Sequence, residues 1–125
     1  MRVCFKAKGR IIYHSRWVVM ECPKDIIDYY HYWVEKKTGL KLHKPKFGSH
    51  ISVIRGDEEF NRESELYRKY HEGFVEFTYS NDLQTNGDYW WLPVECKTLE
   101  KLRVELGLTK EPPFGLHLTI GRMKQ

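Results

Sequence analysis

The strings "PKFGSHISVIR", Pro45 to Arg55, and "PPFGLHLTIGR", Pro112 to Arg122, share Pro, Phe, Gly, His and Arg at the same offsets, with the histidine at the centre of each. Behind each stands the same order of elements. "WVVMEC" from Trp17 and "WLPVEC" from Trp91 are apolar, β-branched runs that read as buried strands, and both end in a Glu-Cys pair, Glu21-Cys22 and Glu95-Cys96. A helix follows each. After Cys22, Pro23 suits a first helical turn, Ile26, Tyr30, Trp33 and Val34 fall on one stripe, and Gly39 offers a stop. After Cys96, Thr98 is the expected cap, Leu99, Leu102 and Leu106 form the stripe, and Gly107 ends it.

Strand, helix, loop and histidine-bearing strand thus occur twice, over residues 17–55 and 91–122. Between them, residues 56–90 hold an acidic opening "GDEEF", a predicted short helix near Ser64 to Tyr70, a predicted strand "GFVEFTYS" and an "NGD" turn at Asn86 to Asp88. The expected fold class is α+β: two pseudo-symmetric strand-helix-strand units forming a central antiparallel sheet cleft with helices outside. At 125 residues the chain is long enough for one core and short of two, so residues 1–125 are expected to form a single domain.

Composition narrows the class further. Eight tyrosines, six phenylalanines and four tryptophans speak against disorder. No apolar run of about 18 residues is present to span a bilayer, and the opening "MRVCFKAKGR" lacks the apolar middle of a signal peptide, so a cytoplasmic protein without membrane partner is expected. Cys4, Cys22 and Cys96 make no CxxC pair and are odd in number, which points to reduced, buried thiols. Lysine plus arginine exceed aspartate plus glutamate by 21 − 17 = 4, an excess that suits an anionic ligand.

In a strand, residues i and i+2 share a face. His50 with Ser52, and His117 with Thr119, therefore each present an imidazole beside a hydroxyl, while Ile51, Val53, Leu118 and Ile120 turn to the other side. Metal-free cleavage of a phosphodiester needs a base for the attacking oxygen, an acid for the leaving oxygen and donors for the phosphate. Two histidines, with an ordinary pKa of about 6.5, and two hydroxyls supply that set. The remaining histidines, His14, His31, His43 and His71, lack a hydroxyl partner at i+2 and read as surface or helix-face positions.

"HISV" and "HLTI" resemble the paired His-hydrophobic-Ser/Thr-hydrophobic motifs of the 2H phosphoesterases. The resemblance implies that His50 and His117 act as general base and acid, that Ser52 and Thr119 hold phosphate, and that no metal or other cofactor takes part. The compact length and the spacing from "YWWLPVEC" to "HLTIGR" look most like small phage-type members, the Swiss army knife, RNA-repair-like kind, some of which degrade cyclic nucleotide signals of antiviral defence. The chain is short beside many relatives, which puts in doubt any lid after the second motif.

The expected partner is a small nucleotide, a cyclic oligonucleotide or an RNA 2′,3′-cyclic phosphate end, with no obligate protein partner. Tyr13, Tyr79 and Trp90 are the expected stacking platforms for bases, with Trp91 nearby, because they lie on or near strands leading to the cleft. Lys8 and Arg10 are placed to add charge at the entrance, and Arg55 and Arg122 either touch phosphate or form surface ion pairs. Phe47 and Phe114 read as core plugs. A binding module holding RNA ends without turnover, and a sponge-like partner protein, remain open alternatives.

Overall fold

In a computed structural model of the chain, the described residues are 3–46 and 48–124. Strand β1 (Cys4–Tyr13) is followed by β2 (Val18–Glu21), α1 (Lys24–Thr38), β3 (Leu42–His43) and β4 (His50–Ile54). Then come β5 (Phe74–Ser80), β6 (Gln84–Thr85), β7 (Tyr89–Glu95), α2 (Lys97–Glu105) and β8 (His117–Met123). Six strands close on themselves in the order β1, β2, β4, β8, β7, β5 and back to β1, with every neighbouring pair antiparallel. The short β3 prolongs one edge of β8 and the short β6 one edge of β7. The result is an α+β fold, a barrel-like antiparallel sheet with two helices.

The sheet sorts its side chains by face. Ile11, Met20, Ile51, Val53, Phe77, Leu92, Leu118 and Ile120 are at most 1% exposed, and they share one cluster with Ile26 and Ile27 of α1 and with Leu99, Leu102 and Leu106 of α2. This alternation fixes register, since a slip of one residue would drive the whole apolar set to the other face. The opposite face carries Arg10, Glu21, His50, Ser52, Glu95, His117 and Thr119, none of them buried.

Both helices form where the stripes placed them, with different ends. Pro23 is the residue before α1 rather than part of its first turn, and Gly39 stops the helix at φ 73 with its N–H on the Glu35 carbonyl. Helix α2 is capped by Cys96 in extended backbone and not by Thr98, which sits inside the first turn without a capping bond. The expected helix near Ser64 to Tyr70 does not form. Residues 62–72 are a chain of turns, with Arg68 and Glu72 both at φ 65, and the segment is sewn onto β1 by Glu72 N–H to the Ile11 carbonyl at 2.7 Å and Ile11 N–H to the Gly73 carbonyl at 3.0 Å. The "NGD" turn leads from β6 to β7, with Gly87 at φ 92.

One buried charge braces the loops around the histidine strands. The Arg103 side chain, 1% exposed, donates to both carboxylate oxygens of Glu58 at 3.0 and 2.7 Å, to the Val53 carbonyl at 2.8 Å and to the Thr109 carbonyl at 2.8 Å. It ties α2 to the segment after β4 and the segment before β8. That guanidinium holds the Glu58 carboxyl below its ordinary range. The thiols differ from the expectation as well: Cys96 is buried and Cys22 half-buried, but Cys4 is exposed on the first strand.

Candidate active site

Strands β4 and β8 meet at Ile51 and Leu118. Because side chains alternate along each strand, His50 and Ser52 flank Ile51 and His117 and Thr119 flank Leu118 on the face opposite that buried pair. All four side chains are half-buried while Ile51 and Leu118 between them are fully buried. Both imidazoles and both hydroxyls are therefore gathered on one face of the two neighbouring strands.

The repeated Pro-x-Phe-Gly now has a physical meaning. In each copy the glycine N–H closes a turn on the proline carbonyl, Gly48 on Pro45 at 3.2 Å and Gly115 on Pro112 at 2.9 Å. Both glycines lie in the left-handed region, at φ 80 and φ 70, which a residue with a Cβ enters only at a cost. That turn brings the glycine carbonyl under the imidazole two residues on: His50 Nδ1 to Gly48 O and His117 Nδ1 to Gly115 O, both 3.0 Å. A carbonyl only accepts, so Nδ1 carries the hydrogen in both rings and each Nε2 is left free to take or give a proton. The glycines position the two imidazoles, which residue-by-residue reading missed, although their repetition in the two strings was the available signal.

A family model for the Swiss Army Knife, 2H phosphoesterase domain matches residues 18–125. The chain belongs to the 2H phosphoesterases. No curated protein and no solved structure matches it. As a 2H phosphoesterase it is a hydrolase acting on phosphoric diester bonds, and a nucleotide or RNA substrate is consistent with that class.

Around the histidines of this 2H phosphoesterase, the neighbours follow from register. Glu21 pairs with His50, Trp91 with Thr119 and Pro93 with His117. The Trp91 ring lies edge-on to the His117 ring, with centroids 6.3 Å apart. Arg10 pairs with Glu21 across β1 and β2 and meets Glu72 at 3.3 Å; Lys8 continues the same face of β1. Arg55 meets Asp57 at 3.6 Å and lies over the Phe114 ring at 5.5 Å, while Arg122, exposed on β8, has no carboxylate in ion-pair range among the described residues.

Three expected platforms are elsewhere. Tyr13 is not turned to solvent: it is 3% exposed, walled by Tyr67 and His71 at edge-on distances of 5.6 and 5.9 Å, and burial pushes its hydroxyl up to about 12. Tyr79 and Trp90 lie on the face turned to α1, because Tyr79 pairs with the buried Val94 and Trp90 alternates in step with the buried Leu92 and Val94 of its own strand. Phe114 is 76% exposed and plugs nothing, and Phe47 lies outside the described residues.

The other histidines have structural partners or none. His31, buried on α1, has Nε2 3.0 Å from the Leu42 carbonyl and so fastens β3 to the helix, which a surface position would not. His71 Nδ1 accepts from Tyr13 N–H at 3.1 Å, His14 stacks on Trp17 at 4.9 Å, and His43 is exposed on β3.

Proposed function

We propose that this 2H phosphoesterase cleaves ribonucleotide phosphodiesters by a metal-free, two-histidine mechanism, and that cyclic oligonucleotide signals of the antiviral-defence kind are its first substrates. The observation that carries the mechanism is the gathering of His50, Ser52, His117 and Thr119 on one face around the paired Ile51 and Leu118, with both Nδ1 atoms fixed on glycine carbonyls.

In this reading one neutral imidazole takes the proton of the ribose 2′-hydroxyl through Nε2, and that oxygen attacks the neighbouring phosphorus. The other imidazole, protonated, gives its Nε2 proton to the departing 5′-oxygen. The products are a 2′,3′-cyclic phosphate and a 5′-hydroxyl. Water replaces the 2′-hydroxyl when the substrate is already a 2′,3′-cyclic phosphate. Ser52 and Thr119 donate to the non-bridging oxygens, where charge accumulates. Trp91, beside His117, offers a base platform, and Arg122, with no carboxylate in range among the described residues, is the arginine available to phosphate. The two strand-helix-strand units, related by a pseudo-twofold running between Ile51 and Leu118 within a single domain, account for a site whose halves are written alike.

The test is turnover. Purified protein in chelator is mixed with a 3′,3′-cyclic dinucleotide, with 2′,3′-cyclic AMP and with a linear RNA dinucleotide, and products are followed by chromatography. Ring opening to a 2′,3′-cyclic phosphate end is the expected result. Turnover of 2′,3′-cyclic AMP alone moves the assignment to RNA-end processing, tight binding without product makes the chain a binding module, and rescue only by a divalent ion overturns the metal-free mechanism.

A further inference from the structure

On the side of the sheet away from the histidines, a groove of about 860 Å³ runs between α1 and strands β1, β5 and β7. Its walls are aromatic: Phe5 and Tyr79 stack at 5.5 Å, Tyr30 stands edge-on to Tyr79 at 6.5 Å, and Trp90 lines it from β7. The rim is aromatic too, and in an unusual place. Tyr29 and Tyr32 are 58% and 55% exposed on α1 and Trp33 is 37% exposed, where a helix on a soluble domain normally carries polar residues.

The ends of the groove differ in charge. Asp25 lines it near the start of α1 and Lys37 near the end, twelve residues or about 18 Å apart along the helix axis. Lys36 and Lys37 hold their ammonium groups 5.5 and 6.0 Å above the Trp33 ring, and neither has a carboxylate in ion-pair range among the described residues. The Trp90 Nε1 donor is buried with no hydrogen-bond partner among the described residues. Flat aromatic walls, a carboxylate at one end and uncompensated ammonium groups at the other match a planar heteroaromatic ring with N–H donors joined to an anion. An aliphatic chain would use the walls and leave both charges unanswered.

We propose that this groove is a second nucleotide-binding site, distinct from the histidine cleft, which takes a base between its aromatic walls and a phosphate at Lys37. The same chemistry is offered by a free nucleotide and by one nucleotide of an RNA strand.

The experiment uses the full chain carrying His50→Ala and His117→Ala, so that no ligand is turned over. AMP, an adenosine pentanucleotide and, as a charge-only control, tripolyphosphate are titrated by calorimetry and by NMR of the Trp and Tyr side chains. Saturable binding of AMP or the pentanucleotide is expected, with shifts at Trp33, Tyr79 and Trp90. Tighter binding of the pentanucleotide identifies a strand as the ligand, and equal or tighter binding of AMP a free nucleotide. Adding Trp33→Ala or Lys37→Glu, both exposed positions whose folding is checked by thermal unfolding, weakens binding at least tenfold. In the otherwise native chain the same two changes leave kcat/KM for bis(p-nitrophenyl) phosphate within twofold. No binding in the double histidine variant, no effect of Trp33→Ala and Lys37→Glu, or equal binding of tripolyphosphate overturns the proposal.

Discussion

His117 Nδ1 lies 3.0 Å from the Gly115 carbonyl, and the same distance separates His50 Nδ1 from the carbonyl of Gly48. An ideal Cβ on either glycine meets nothing within 4 Å, so an alanine there is opposed by the backbone conformation alone. Gly48→Ala and Gly115→Ala are expected to cost about 1 kcal/mol of stability each and to retain the fold. The turn relaxes away from positive φ and the carbonyl swings off Nδ1. Activity therefore falls by more than stability does, an outcome read from kcat/KM beside the thermal midpoint.

The two imidazoles are not interchangeable with any other group in the cleft. His50→Ala and His117→Ala are each expected to lower kcat by roughly 10²- to 10⁴-fold, and the double variant by much less than the product of the two, because base and acid act in one step. Ser52→Ala and Thr119→Val lose less. The proposed mechanism requires one neutral and one protonated ring, so kcat/KM is expected to rise and fall again between about pH 5 and 8; a flat profile contradicts it.

Arg103 is 1% exposed and answered by Glu58, so removing either partner strands a charge. Arg103→Met leaves Glu58 without its partner and is expected to destabilise the fold by about 3–5 kcal/mol, measured by urea unfolding. The Glu58 carboxyl titrates below its ordinary value in the folded chain. Its contribution is thus complete above the unfolded pKa of about 4.3 and is lost as pH falls through the lower folded value. Glu58→Gln flattens the acid limb of the stability profile below about pH 4.

Among the described residues the buried Tyr13 hydroxyl makes no hydrogen bond of good geometry, the Tyr70 backbone answering it only in part. Tyr13→Phe removes a poorly answered polar group and keeps the ring, so stability is expected to stay level or rise by about 1 kcal/mol. Burial raises this hydroxyl to about 12. Its neutral form is favoured by folding, so stability is full below the unfolded value of about 10 and declines as pH rises towards 12. The phenylalanine variant shows a smaller decline over that range.

The motif strands were legible because their information is local. Alternation in "HISV" and "HLTI" assigns one polar and one apolar face whatever the partner strand is, and Gly39 and Gly107 mark helix ends by the conformation they permit. The aromatics were not legible in this way. Tyr13, Tyr79 and Trp90 sit on strands whose two faces are both occupied, one by the histidine cleft and the other by helix-covered core, and neighbouring polar residues do not say which face a given ring takes. Trp90 and Trp91 show it: alternation sends adjacent tryptophans to opposite faces, one to the groove under α1 and one to His117, and only the packed fold says which is which.

What local sequence carries is the order strand, helix, histidine strand in each half and the doubled histidine-hydroxyl face, since each depends on residues within a few positions of one another. The neighbourhood of β4 and β8, which brings the two histidine-hydroxyl faces together at Ile51 and Leu118, and the reach of Arg103 to Glu58 across 45 residues exist only in the folded chain. Those pairings depend on how the sheet closes. Closure is a property of all six strands together, selected by burying one continuous apolar face, and no single stretch of the chain encodes it.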